Sequence, residues 1–115
     1  MKIKLIVLRT GNMDSLVEFY QLLGVTFNFH KHGDSPYHYS AIMDQMVLEV
    51  YPLTKSQTEA DKSLRLGFEL DNFDMTIEFL KKGNVVFVSG PAQTEFGFMA
   101  TVIDPDGRKI ELYKN

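Results

Sequence analysis

The chain contains one unit twice. Asn12-Met13-Asp14-Ser15-Leu16-Val17-Glu18-Phe19 recurs as Asn72-Phe73-Asp74-Met75-Thr76-Ile77-Glu78-Phe79, an offset of 60 that also pairs Leu8 with Phe68, Phe27 with Phe87 and Met43-Asp44 with Ile103-Asp104. Near the end of each half the offset becomes 62, aligning Leu48-Glu49-Val50-Tyr51 with Ile110-Glu111-Leu112-Tyr113. In a chain of 115 residues this leaves few architectures open. Each half must build the same supersecondary unit, and two copies imply a pseudo-twofold axis on which a site can lie.

The first half reads as a strand over 2–9, then a helix that Asn12 caps and Gly24 ends, with Leu16, Phe19, Tyr20 and Leu23 at helical spacing. A second strand covers 25–30, a Gly/Asp/Pro loop covers 31–36, and 37–43 with 46–51 form a hairpin around Asp44-Gln45. The polar, unpatterned stretch 53–62 is the natural linker. The pattern then returns as a strand over 63–70, a helix over 72–82 closed by Gly83, a strand over 84–88, a Gly90-Pro91 loop and a hairpin from Phe96 to Tyr113. The expectation is an α+β protein of one domain over 1–115, with βαβββ modules at 1–52 and 63–115.

Composition narrows the functional classes. A formal charge of −3 and the lack of any Lys/Arg cluster argue against nucleic-acid binding. Without cysteine there is no disulfide, thiolate metal site or Cys nucleophile. The N-terminus lacks the pattern of a signal peptide, and no apolar run approaches the ~20 residues of a membrane span. The expectation is a cytoplasmic protein with no membrane partner.

Strand alternation separates two faces. Leu64, Leu66, Phe68 and Leu70, Ile110 and Leu112, and Leu48 and Val50 should pack under the helices, with Phe19, Phe68 and Phe79 in the core. The opposite rows carry Glu49, Arg65 and Glu111, and should face a shared concave surface.

Phe19-Tyr20-Gln21-Leu22-Leu23-Gly24 resembles the "FY…LG" segment of the vicinal oxygen chelate superfamily of glyoxalases, bleomycin-resistance proteins and extradiol dioxygenases. Asp104-Pro105-Asp106-Gly107-Arg108-Lys109-Ile110-Glu111-Leu112 resembles its "DPDG…IEL" signature. The resemblance implies an eight-stranded mixed-sheet cup with helices on its outer face, often completed in a homodimer. It also implies metal ligands at Leu5, Glu49, Arg65 and Glu111. Leu5 has no donor atom and Arg65 no lone pair to offer, so no cofactor is expected there, with a divalent metal as the alternative. Two carboxylates facing one cavity repel unless a cation lies between them. Arg65 can supply that charge to Glu49, Glu111 or both, leaving a fixed ion-pair cluster.

His30, His32 and His38 are possible replacement ligands; His30 and His32 share a face, but loop-edge histidines are more often simply exposed. In resembling proteins the residue three before the DPDG motif, here Thr101, faces the pocket. Parity then brings Met99 inward, with Tyr39 and Ala41 as their first-half counterparts, unless a bulge flips the assignment. The favoured function is metal-independent binding of a small organic molecule, antibiotic-like or a metabolite, at Glu49, Arg65, Glu111, Tyr39, Met99 and Thr101. The alternative is a lyase, isomerase or dioxygenase in which Glu49 and Glu111 hold a metal or act as general base.

Overall fold

The computed structural model describes all 115 residues. The elements are β1 (Leu5–Thr10), α1 (Met13–Leu22), β2 (Asn28–His30), β3 (His38–Met43), β4 (Met46–Pro52), β5 (Leu66–Leu70), α2 (Phe73–Lys82), β6 (Phe87–Thr94), β7 (Gly97–Ile103) and β8 (Lys109–Lys114). They form two four-stranded mixed sheets, ordered β1-β4-β3-β2 and β5-β8-β7-β6. The chain divides into two compact units, Met1–Asp61 and Lys62–Asn115. Each unit is βαβββ, as the repeat predicts.

In each unit the first strand runs parallel to the last, Val7 beside Glu49 and Gly67 beside Glu111, while the others pair antiparallel. The helices form where the repeat places them. Asn12 Oδ1 accepts from Ser15 N at 3.1 Å and so caps α1, whereas Asn72 makes no such bond at α2. Both helices end by folding the next amides back onto their last carbonyls: Val25 N donates to Tyr20 O, and Val85 N to Leu80 O. Those amides are therefore unavailable to a sheet, and β2 and β6 begin later than strand propensity suggests. The buried rows are Leu8, Leu48 and Val50 under Leu16, Phe19 and Tyr20 in the first unit. In the second, Ile110 and Leu112 are buried along with Phe73, Ile77 and Leu80.

Several expectations need correction. Phe79 is 44% exposed, because the buried stripe of α2 follows Phe73, Thr76, Ile77 and Leu80, and Phe79 falls off it. Leu64 and Arg65 precede β5 rather than lying within it, and Leu64 is exposed. Gly90-Pro91 is not a loop between strands. It lies inside β6, where the register to β7 shifts at two places. Gly90 sits at φ +76°, and a Cβ there would meet Met99 O at 2.5 Å, so this close approach requires glycine.

The largest departure is in the first hairpin. Met43 pairs with Met46 across a two-residue turn, whereas Ile103 pairs with Lys109 across five residues. The turns differ by three residues while the repeat slips by two, so β3 is displaced by one residue against β4 relative to its counterpart. A one-residue shift exchanges the faces of a strand. Ala41 therefore stands opposite Leu48 and Tyr39 opposite Val50, on the helix side, and Ser40 stands opposite Glu49. The Tyr39 hydroxyl donates to Asp14 Oδ1 in α1 at 3.1 Å, consistent with that side.

Candidate functional site

In the second unit, Thr101 pairs with Glu111 and Met99 with Tyr113 across β7 and β8, so all four project from one face. This is the inward parity expected for Met99 and Thr101. Together with Arg65 and Phe96 they line an open cavity of about 770 Å³. Gly67, beside Glu111 on β5, leaves room for the Tyr113 ring: a Cβ there would sit 3.3 Å from Tyr113 Cε2.

Glu111 is the hub of the cavity's polar network. Arg65 Nε lies 2.6 Å from its Oε2, and the Tyr113 hydroxyl donates to its Oε1. The hydrogen bond from Tyr113 is the main influence holding the Glu111 carboxyl below its ordinary value. Desolvation opposes it, and the Arg65 charge and hydrogen bond reinforce it. The same carboxylate pushes the Tyr113 hydroxyl above its usual value. Arg65 is 54% exposed and Glu111 22%, so the pair stands at the cavity's edge rather than in the core.

The neighbouring turn is a rigid mount. Asp104 Oδ1 accepts from the amides of Asp106 and Arg108, both at 2.9 Å. Arg108, 1% exposed, donates from one Nη to Asp104 Oδ2 at 3.2 Å and to Asp106 Oδ2 at 2.8 Å. The DPDG segment and the following Arg108 thus serve to close the turn into β8, which carries Glu111.

In the first unit, Glu49 has a different neighbour. His38 is fully buried, and its Nε2 lies 3.4 Å from Glu49 Oε2. Its Nδ1 is 3.0 Å from Pro36 O, an atom that can only accept, so Nδ1 carries a proton. The His38 ring stacks on Tyr51 with centroids 4.0 Å apart. His30 stands across the strand pair from His38, and its Nε2 is 3.1 Å from His32 Nε2. The ligand atoms of His30, His32, His38 and Glu49 all lie within 4.8 Å of one another, a set able to hold a metal ion. The expected shared face of His30 and His32 is present, but His38 is buried rather than loop-edge. Its role was hidden because it depends on the β2–β3 register, which the sequence does not fix.

The positions implied for the superfamily's metal do not fit one. Leu5 is an exposed apolar residue at the start of β1. Arg65 brings a cation, and both oxygens of Glu111 are engaged by Arg65 and Tyr113. Tyr113 was legible as a neighbour of Glu111 by alternation, but its hydrogen bond was not.

The sequence model of the Glyoxalase/Bleomycin resistance protein/Dioxygenase superfamily matches residues 2–112. No curated protein sequence matches the chain. Among solved structures, TnmS3, an antibiotic binding protein from Streptomyces sp. CB03234, is 22% identical with a TM-score of 0.76, covering 99% of this chain and 95% of that one. The oxidase ChaP-H2 has the same TM-score at 12% identity, covering 100% and 94%. A possible glyoxalase from Bacillus cereus is 19% identical with a TM-score of 0.68, covering 98% of each chain. At these identities the likeness is one of fold.

Proposed function

The chain belongs to the Glyoxalase/Bleomycin resistance protein/Dioxygenase superfamily, and from that premise we propose that it captures a small organic molecule, an antibiotic or a metabolite, on the face carrying Arg65, Met99, Thr101 and Glu111, without a metal at those positions. The observation that carries this reading is the cavity itself. It combines apolar surface from Phe96 and Met99 with a few fixed polar groups around Glu111, the usual makeup of a small-molecule site. The likeness to an antibiotic binding protein supports the same class. Tyr39 is left out of this site because it faces α1.

The enzymatic alternative has less support. A general base works best with its pKa near the operating pH, and Glu111 is shifted the other way, held ionised by Tyr113 and Arg65. Glu49 lies beside the buried imidazole of His38.

A thermal-shift screen of metabolites and antibiotics, run in the presence of a chelator, tests the proposal. A genuine ligand at about 100 times its Kd adds about 2.7 kcal/mol of stability, and Arg65→Ala should weaken the response. Ligands whose effect disappears with chelator would contradict it. We also propose that the protein works as a homodimer, since the Glu49 face exposes Leu5, Val7 and Ile42 to solvent. Light scattering coupled to size exclusion should then report twice the mass of 13.2 kDa; a monomer at all concentrations would refute it.

A further inference from the structure

We infer that His30, His32, His38 and Glu49 form a binding site for a divalent transition-metal ion, zinc foremost, built wholly from residues of the first unit. All three histidines of the chain meet there. Three imidazoles and one carboxylate are borderline donors that suit zinc and its neighbours rather than calcium or magnesium.

The geometry is close to what such an ion needs. Four donors placed tetrahedrally at about 2.05 Å from zinc stand about 3.3 Å apart. The His30–His32 nitrogens are 3.1 Å apart, and His38 Nε2 and Glu49 Oε2 are 3.4 Å apart. The three imidazole rings converge, with centroids 4.6, 4.6 and 5.3 Å apart.

The buried nitrogen of His38 points to a ligand. With Nδ1 donating to Pro36 O, Nε2 is the ring atom left without a hydrogen-bond partner, buried and aimed at a carboxylate oxygen. A positive charge between that nitrogen and the carboxylate satisfies both across 3.4 Å, and with two more imidazoles at the same place a metal ion supplies it. The surroundings match the outer shell that metal-binding histidines require. The carbonyl of Pro36 selects the tautomer, and the Tyr51 ring holds the plane. His32 comes from the loop, whose turn is closed by Ser35 Oγ accepting from His32 N at 2.8 Å and by Ser35 N donating to His32 O at 2.9 Å.

Four protein ligands leave no open coordination position, so the site is structural. It ties the loop over 31–37 and the short strand β2 to β3 and β4.

Untagged full-length protein, stripped with a chelator and titrated with Co²⁺ and then Zn²⁺, tests the inference. One equivalent of Co²⁺ should give visible absorption bands of four-coordinate intensity, bleached by one equivalent of Zn²⁺, and Mg²⁺ should do neither. His32→Ala, at an exposed loop position, and His30→Ala should each weaken metal binding by about 100-fold or more. Both should retain the far-ultraviolet dichroism of the parent. The imidazole protons of all three histidines should shift with zinc in NMR. Absence of the bands, or bands undiminished in both variants, would overturn the site. Loss of metal with compound binding intact would separate its failure from that of the cavity.

Discussion

At the level of single residues, Glu111 gathers the second unit's polar contacts, since Arg65 Nε and the Tyr113 hydroxyl both reach its carboxylate. Its depressed pKa means the network contributes stability above the carboxyl's unfolded value, and this is lost as pH falls through the lower folded value. Tyr113→Phe should raise the Glu111 pKa more than Arg65→Ala, because the tyrosine hydrogen bond is the leading cause. Carboxyl titration by NMR checks the order; unchanged titration in both variants would remove the network. Tyr113 has the opposite sign. Its raised pKa favours the fold below its unfolded value, and that contribution fades as pH climbs through the folded one. Arg65 and Glu111 were legible as partners from alternation and charge alone. The neighbour of Glu49 could not be read, because His38 is brought beside it by strand register. Arg108 is a separate case: its guanidinium is buried between two aspartates, and Arg108→Ala should cost about 3–5 kcal/mol, the usual result of breaking a buried pair. Urea denaturation measures it, and a loss below about 1 kcal/mol would contradict the account.

The repeat foretells each helix and strand, yet equal sequence at the level of elements does not give equal geometry. Asn12 and Asn72 occupy the same place, but only Asn12 accepts from the first turn. Asn12→Ala should therefore destabilise by about 1 kcal/mol, and Asn72→Ala by clearly less; equal losses would show that the caps are alike. The turns differ more. Asp44, at φ +53°, allows the two-residue hairpin, while Asp104 organises a five-residue one. That odd difference places Tyr39 and Ala41 against the helix and Ser40 beside Glu49, although Met99 and Thr101 face the cavity. Parity carried from one half to the other fails whenever a turn changes length by an odd number relative to the alignment. Gly90-Pro91 is a breaker signal that predicts a loop; the strand absorbs it through its register shifts.

Across the whole molecule, the duplication produced two units with one architecture and different polar centres. Tyr113 and Arg65 converge on the Glu111 carboxylate beside a cavity in the second; three histidines and Glu49 gather in the first. No helix is long and apolar enough to cross a membrane. The fold was readable from the repeat, because hydrophobic spacing and turn residues specify its elements locally, and the family from the resemblance carried by two motifs. The difference between the two polar centres was not readable, since it arises from cross-strand neighbours. The central claim is that the second unit's cavity takes the ligand without a metal. NMR of labelled protein in chelator, titrated with a compound that raises its melting temperature, tests this most directly. The account predicts that the Met99 methyl and the Thr101 and Glu111 amides shift most while the three imidazoles stay still. Shifts confined to the histidines, or to residues away from β7 and β8, would contradict it.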